Sequence, residues 1–346
     1  MTNRITLCLA GFGNAAQAFC RLLLQQQQYL YKMHQVKVDV TAIAGRSKGA
    51  LFDPVGIDLS RALEEVAHHG MFSSNNPQLA SLTTLGSIQR SHAQVLVELS
   101  TLSIENGQPA IQHIEEALCQ GMHVITANKG PIAWDFRRLK ELADQSGKWL
   151  LHETVVMDGA PVFNLVKETL PGCSVTSFKG ILNSTTNFIL EEMETGMAYE
   201  DAVREAQRRG FAEADPSLDV EGWDAAAKTS ALLNVLMNGN VTPPEILREG
   251  IMKISMEDVK AAQKKNCKIK LLCEGWLENG QPRGRVLPSL VEKNDLFSTI
   301  DATSSILSVT TDLMGEICMV ERHPEIEQTA YGIYSDLLTL IRKTSK

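Results

Sequence analysis

The sequence predicts an α/β fold, with a doubly wound parallel sheet in the first part of the chain and an α+β domain after it. Short apolar runs typical of buried strands, such as residues 5–10, alternate with helical patterns until residue 152. Strand-rich pieces separated by helices follow. With 346 residues, the chain also exceeds what one hydrophobic core usually organises.

The domain boundaries follow from this change of pattern. We place the first domain at residues 1–152 and the second at residues 153–321. A helix within residues 322–346 is amphipathic, and we expect it to pack on the first domain. The side chains on one side of this helix are Tyr331, Tyr334, Leu338 and Ile341. The sheet of the second domain is suited to pairing with a copy of itself.

The composition argues against several classes of partner. A net charge of −8 disfavours nucleic acid and anionic membranes, since each calls for a basic face, so a small molecule is the expected partner. The seven cysteines are scattered and lack a CxxC pair, which is typical of reduced thiols in a cytosolic protein. The first apolar run is too short for a signal peptide or a membrane span, so we expect a cytoplasmic protein.

A glycine-rich turn joins the first strand to the first helix. Gly11 allows a tight turn, Gly13 lets the backbone approach a pyrophosphate, and Ala16 is the small residue needed where helix and strand touch. The pyrophosphate would lie at the helix N-terminus. Taken alone, the pattern also fits a purely structural turn, but the order of strand, turn and helix favours a dinucleotide site. The contacts expected from this turn are Gly11, Phe12, Gly13, Asn14 and Ala15.

The second strand, residues 36–45, is followed by basic residues. A site for NAD usually has an acidic residue here, which binds the ribose hydroxyls. Arg46 and Lys48 stand there instead and can bind a 2′-phosphate, so the sequence predicts a preference for NADP over NAD. Two solvated basic residues in a turn are the alternative.

Polar residues also end the next two strands. Residues 93–101 end in Ser100 and Thr101, and residues 122–131 end in a segment that contains Lys129. In an open parallel sheet, ligands bind outside the carboxyl ends of the strands. Lys129 is therefore a candidate contact for a substrate or for nicotinamide, and a surface ion pair is the alternative.

Four further segments surround the domain boundary. Residues 133–146 predict a helix and residues 149–152 a strand. Residues 153–161 predict a strand that breaks into a Gly/Pro turn. Residues 174–190 predict a strand that leads into a capped helix.

The most unusual stretch is residues 210–228, where several carboxylates precede any positive charge. These are Glu213, Asp215, Asp219, Glu221 and Asp224. Crowded carboxylates raise one another's pKa unless a cation lies among them, as in amine-binding and acid/base sites. Asp224 and Lys228 are one helical turn apart on the same face, where the lysine could donate a proton. A capped helix with an exposed ion pair is the alternative.

Five separated segments together resemble the homoserine dehydrogenase family, in the order and spacing of that family. They are residues 11–16, 126–131, 153–161, 179–190 and 210–228. The resemblance implies a Rossmann-type domain joined to an α+β substrate and dimerisation domain, in a homodimer. It also implies reduction of L-aspartate 4-semialdehyde to L-homoserine with a nicotinamide cofactor, in the biosynthesis of threonine, methionine and isoleucine.

The resemblance implies roles for individual residues. Lys228 would give or accept the hydroxyl proton, with Asp224 beside it. Hydride addition to an aldehyde leaves an alkoxide, which needs both a proton and a positive neighbour. Glu213 and Asp219 would contact the amino-acid substrate, and Lys129 would lie near the nicotinamide.

Two further sites are implied in the same way. Ser100 and Thr101 fall where residues at the end of a strand meet the cofactor in this family. A turn after the first domain resembles a site for a monovalent cation such as sodium. The residues of this turn are Glu153, Val156, Asp158 and Ala160.

Departures from the family pattern keep other functions open. Ser184 replaces a glycine at the start of a helix, and residues 321–325 replace a glycine-rich loop that lies near the cofactor. The lost loop motivates a rival hypothesis, a catalytically silent paralogue that binds nucleotide or amino acid. A dehydrogenase of the same fold for another amino or hydroxy acid is a third. Aldehyde oxidation through a thiohemiacetal is disfavoured, because only Cys173 comes close to an activating position.

Overall fold

Strands and helices alternate through the first part of the computed structural model, which describes residues 3–344. The elements are β1 (Asn3–Ala10), α1 (Asn14–His34), β2 (Val36–Gly45), β3 (Gly49–Phe52), α2 (Leu59–His69), β4 (Leu79–Ala80), α3 (Thr84–Ser91), β5 (Val95–Glu98), α4 (Ala110–Cys119), β6 (His123–Thr126), α5 (Lys129–Gln145) and β7 (Leu150–Leu151). A 3-10 turn, Glu153–Val155, follows.

The second part of the chain begins with short helical pieces and ends in long strands. Its elements are α6 (Val162–Asn164), a π-helical turn (Leu165–Thr169), β8 (Val175–Ile181), α7 (Ser184–Glu194), α8 (Tyr199–Arg208), α9 (Ser217–Val220), α10 (Trp223–Leu236), a 3-10 turn (Pro243–Glu245), β9 (Leu247–Arg248), α11 (Met256–Lys264), β10 (Cys267–Glu278), β11 (Gln281–Glu292), a 3-10 turn (Leu296–Thr299), β12 (Ser305–Thr311), β13 (Gly315–Glu321) and α12 (Ile326–Thr344).

The chain divides into two compact units. The first contains the described residues up to Pro161 and those from Glu325 onward, and the second is Val162–Pro324. Both boundaries lie beyond the predicted ones at residues 152 and 321. Residues 1, 2, 345 and 346, which the predicted first domain includes, lie outside the described part of the chain.

The sheet of the first unit has the strand order β4-β3-β2-β1-β5-β6-β7. β1 pairs in parallel with β2 and with β5, and β6 and β7 continue the parallel series. The α/β prediction is therefore confirmed. The sequence interpretation missed β3 and β4, which pair antiparallel at the edge of the sheet. Such short strands carry little periodicity.

The last helix packs on the first unit, as expected. Ile333, Leu337 and Ile341 of α12 are buried in the same hydrophobic core as β1 and α1. The predicted apolar side was wrong at Tyr331, which is 54% exposed. The buried side of α12 contains Ile333, Leu337 and Leu340, which follow one another at spacings of four and three residues. Tyr331 falls outside this side.

Two predicted elements of the first unit differ in the structure. α5 begins at Lys129 rather than at residue 133, because the Asn128 side chain caps the helix by accepting from Gly130 N at 3.0 Å. Residues 153–161 form no strand. Glu153 N donates to Asp336 Oδ2 of α12 at 2.9 Å, so this backbone group bonds to a helix rather than to a sheet.

The sheet of the second unit has the order β13-β12-β8-β10-β11-β9. Except for β9, its neighbouring strands pair antiparallel. The predicted strand leading into a capped helix is confirmed in β8 and α7, whereas the hairpin of β12 and β13 was not predicted. None of the helices within residues 3–344 has the length and apolar character needed to cross a membrane.

Candidate cofactor cavity and active site

A cavity of about 720 Å3 lies at the carboxyl ends of β1, β2 and β5 in the first unit. Open α/β sheets bind ligands at this edge, beside the point where the strand order reverses. Most of the predicted cofactor contacts line the cavity. They are Gly11, Phe12, Gly13, Asn14, Ala15, Arg46, Lys48, Ser100 and Thr101.

The glycine turn is shaped for a close approach to phosphate. Gly11 has φ 105°, and a Cβ atom there would lie 2.3 Å from Leu99 O, so no other residue fits. A Cβ atom on Gly13 would have nothing within 4 Å, which leaves its backbone open. Gly13 is also the N-cap of α1, and no side chain caps that helix. The first backbone N–H groups of α1 therefore suit the pyrophosphate of a dinucleotide.

The two basic residues after β2 differ in their surroundings. Lys48 Nζ donates to Gly70 O at 2.7 Å, so part of its hydrogen-bonding capacity is used. Arg46 is exposed, and within residues 3–344 its guanidinium makes no hydrogen bond. Of the predicted pair, Arg46 is therefore the residue with more free capacity for a 2′-phosphate.

Asn128 connects the ends of β5 and β6. Its Nδ2 donates to Ser100 O at 3.1 Å, while its Oδ1 caps α5. The predicted lysine, Lys129, is the first residue of α5 and is partly exposed. The Asn128 amide thus joins Ser100, after β5, to the first turn of α5, which contains Lys129.

The lysine of the acidic stretch lies in a polar cluster of the second unit. Asp224 and Lys228 are on the same face of α10, with Oδ2 and Nζ 3.6 Å apart. Lys228 Nζ also donates to Leu182 O at 2.6 Å. The two side chains are only 13% and 18% exposed, so the predicted alternative of an exposed ion pair is wrong.

Asn183 joins this lysine to a second carboxylate. Its Nδ2 donates to Asp219 Oδ1 at 2.7 Å and to Asp224 Oδ2 at 3.0 Å. Its Oδ1 accepts from Thr186 N at 2.9 Å, which caps α7. The sequence analysis predicted a capped helix here but did not identify Asn183 as a site residue. Its place directly after a strand and before hydroxyl residues was the available signal.

The carboxylates of the acidic stretch differ in the direction in which their pKa values are shifted. Burial raises the pKa of Asp219, and the nearby Asp224 raises it further. The pKa of Asp215 is lowered instead, because Ser217 N–H donates to it. Glu213 is exposed, and within the described residues its carboxylate makes no hydrogen bond to the cluster.

The predicted cation turn is held against α12. Asp158 Oδ1 accepts from Thr329 Oγ1 at 2.7 Å, and Glu153 is buried. Within residues 3–344 no group of three or more His, Cys, Asp or Glu side chains is arranged to hold a metal ion. A cation here would therefore depend on the backbone carbonyls of Val156 and Ala160 beside Glu153, and the site stays a prediction.

The two departures from the family pattern have clear local structures. Ser184 is the first residue of α7 and has no positive φ, so this position does not require glycine. In the altered loop, His323 has φ 46° and its N–H donates to Ser304 Oγ at 3.3 Å. This loop is thus tied to a neighbouring loop of its own unit.

A glycine-turn cavity in one unit and a carboxylate-held lysine in the other define the class of dinucleotide-dependent oxidoreductases. Two family models match the chain, "Homoserine dehydrogenase, NAD binding domain" over residues 11–153 and "Homoserine dehydrogenase" over residues 161–338. The chain belongs to the homoserine dehydrogenase family, which comprises NAD(P)-dependent oxidoreductases acting on a CH–OH group.

Individual relatives match along nearly the whole chain. A homoserine dehydrogenase of Methanocaldococcus jannaschii is 34% identical, with 98% of this chain and 99% of the relative covered. An NAD(+)-dependent homoserine dehydrogenase of Pseudomonas canavaninivorans is 29% identical, with 98% and 97% covered. A hyperthermophilic archaeal homoserine dehydrogenase, solved in complex with NADPH, has a similar fold, with a TM-score of 0.84, 24% identity and 98% of both chains covered.

Proposed function

We propose that this protein is a homoserine dehydrogenase that interconverts L-aspartate 4-semialdehyde and L-homoserine, with NADP as the preferred cofactor. The observation that carries the proposal is Lys228. Its ammonium is held by Leu182 O at 2.6 Å and lies 3.6 Å from Asp224 Oδ2, in a partly buried cluster. Such a group can be a general acid whose position is set before the substrate binds.

The chain's own residues account for the proton transfer. A nicotinamide cofactor supplies the hydride that reaches the aldehyde carbon. As the C=O bond opens, negative charge develops on its oxygen, and Lys228 Nζ donates a proton to that oxygen. Asp224, beside the ammonium, keeps the lysine protonated before the transfer, since an opposite charge favours the charged form. In the reverse direction, Lys228 accepts the hydroxyl proton.

The substrate is an amino acid, so its ammonium needs an acceptor. Asp219 is proposed for this role, because Asn183 fixes one of its oxygens while Asp224 lies close enough to raise its pKa. A bound ammonium would relieve that repulsion. Glu213 is proposed as a second contact and Lys129 as the lysine near the nicotinamide.

The activity is tested by following NADPH oxidation with L-aspartate 4-semialdehyde, with parallel assays that use NADH. Turnover with this aldehyde is the expected result. Nucleotide binding without turnover would instead favour the silent paralogue, which the altered loop at residues 321–325 motivates. Turnover with another oxo acid alone would favour the third hypothesis.

The preference for NADP rests on Arg46, which is exposed at the edge of the cofactor cavity. The NADPH complex of the archaeal relative supports this choice, whereas the NAD(+)-dependent relative shows that the family also uses the other cofactor. Replacing Arg46 by Asp should weaken NADPH binding by about tenfold or more, through loss of a charge-assisted hydrogen bond, and should favour NADH. A severalfold preference of the unmodified protein for NADH would contradict the assignment.

A homodimer in the cytoplasm is proposed for the intact protein. The second unit has a largely antiparallel sheet with β13 and β9 at its edges, which supports pairing between copies. Sedimentation velocity at micromolar concentration should show a dimer, and a monomer would exclude it. A monovalent cation such as sodium at Glu153, Val156, Asp158 and Ala160 is also proposed.

A further inference from the structure

A buried carboxylate ends the strand beside the cofactor cavity. Glu98 is the last residue of β5 and is 0% exposed. Its Oε1 accepts from Ser100 N at 3.3 Å, from Ser100 Oγ, and from His113 Nδ1 at 3.2 Å. A buried carboxylate is costly unless it is paired, and within residues 3–344 His113 is the basic side chain in contact with it.

The geometry of His113 leaves one ring nitrogen for a ligand. A carboxylate only accepts hydrogen bonds, so Nδ1 carries a proton and donates it to Glu98. His113 is 5% exposed and yet lines the cavity of about 720 Å3. Within the described part of the chain, its Nε2 makes no hydrogen bond. With the proton on Nδ1, Nε2 of the neutral ring is a hydrogen-bond acceptor, so it can accept from a donor group of whatever fills the cavity.

The order of the strands indicates which end of the cavity suits each half of a dinucleotide. Arg46 follows β2 at one end, the glycine turn follows β1 in the middle, and Ser100 follows β5 at the other end. In such sheets the adenosine ribose lies at the β2 end and the pyrophosphate at the turn after β1. The other half of the dinucleotide must then extend toward β5 and the first turn of α4, where His113 lies.

We propose that His113 binds the nicotinamide nucleotide half of the cofactor by accepting a hydrogen bond at Nε2, and that Glu98 is the positioning residue that fixes the proton on Nδ1 and orients the ring. This inference rests on the proposed dinucleotide site. The donor is a hydroxyl of the nicotinamide ribose or the N–H of the carboxamide.

The test compares whole and half cofactors by isothermal titration calorimetry, with NADP+ and with 2′,5′-ADP, which carries only the adenosine end. His113→Leu should weaken NADP+ binding by about threefold to tenfold, the usual effect of losing a hydrogen bond between neutral groups, and should leave 2′,5′-ADP binding unchanged. His113→Gln retains a side-chain acceptor and should recover most of the NADP+ affinity. Glu98→Gln keeps the side-chain size and should weaken NADP+ alone.

The matched control is Arg46→Ala, which should weaken both ligands. Unchanged NADP+ binding by His113→Leu would overturn the inference. Equal weakening of NADP+ and 2′,5′-ADP in that variant would also overturn it, because it would indicate a structural role. If the unmodified protein bound neither ligand, the dinucleotide site itself would be wrong, and both proposals would fail.

Discussion

Two lysines of the second unit lie near the start of α7 but have different surroundings. Lys228 contacts the residue before Asn183, and Lys270 contacts Asn187. Lys228 Nζ donates to Leu182 O, has Asp224 at 3.6 Å and keeps 18% of its side chain exposed. Lys270 Nζ donates to Ile300 O and to the neutral Asn187 Oδ1, each at 2.7 Å, and the residue is only 1% exposed. Within residues 3–344, the Lys228 ammonium has a carboxylate neighbour and access to solvent, whereas the Lys270 ammonium has no carboxylate at contact distance and its residue is almost fully buried.

The difference separates a chemical role from a structural one. Burial, and after it the neighbouring Lys268, lower the pKa of Lys270 to about 8 against the opposing effects of Glu194, Glu191 and Asp301. Its hydrogen bonds hold the loop at Ile300 against α7. Lys228 has the access to solvent that the proposed proton transfer to a substrate requires, whereas Lys270 is enclosed. An unusual pKa therefore does not by itself mark the active site.

The largest expected effect is on kcat, which should fall when Lys228 is replaced but not when Lys270 is replaced. Lys228→Ala should lower kcat by roughly 10²- to 10⁴-fold with a much smaller change in KM, because the general acid is lost. Lys228→Arg keeps the charge but does not readily release a proton, so it should fail almost as badly. Lys270→Met is the matched control and should keep most of kcat. Steady-state kinetics with melting temperatures make the measurement, and retained turnover in Lys228→Ala would remove the catalytic assignment.

The second largest effect is on the pH dependence of the free energy of unfolding, to which Lys270 should contribute. The folded-state pKa of Lys270, about 8, lies below the usual 10.5, so between these pH values the unfolded chain holds a proton that the folded protein has lost. The free energy of unfolding should therefore rise with pH in this window, by about 3 kcal/mol in total for this group. Lys270→Met should lack this rise.

The measurement is urea unfolding at pH 7.5 and at pH 10, two conditions between which most of this rise should occur. Lys260→Met, which removes an exposed lysine from α11, serves as the control and should keep the pH dependence of the unmodified protein. An identical pH dependence in Lys270→Met and the unmodified protein would show that the buried amine does not titrate in this range.

The smallest effect concerns the two asparagines. Asn183→Ala removes the amide that donates one hydrogen bond to Asp219 and one to Asp224, and should lower kcat about tenfold or more, because both carboxylates lose a positioning partner. Asn187→Ala removes an acceptor of Lys270 and should cost about 1–3 kcal/mol of stability while kcat stays within about twofold. A larger loss of kcat in Asn187→Ala than in Asn183→Ala would reverse the assignment of the two regions.

Local spacing explains what could be predicted of the site. Asp224 and Lys228 meet because residues four apart in a helix share a face. The turn at Gly11 was predictable because a tight turn between strand and helix needs a residue that tolerates positive φ. The partners of these groups were not predictable, since Asn183 reaches Asp219 and Asp224 from a distant segment of the chain.

The sequence by itself therefore determined the parallel α/β sheet, the glycine turn and the helix that carries Lys228, because each depends on contiguous residues and a fixed backbone period. Only the tertiary structure decided that Leu182 and Asn183 hold the acid/base cluster, that Glu98 pairs with His113, and that Lys270 is buried. The 3-10 turn at Glu153, which the sequence analysis predicted to be a strand, shows the same limit. The backbone N–H of Glu153 donates to Asp336 of α12. Contacts of this kind depend on how a helix packs on distant segments, which local residue spacing does not encode.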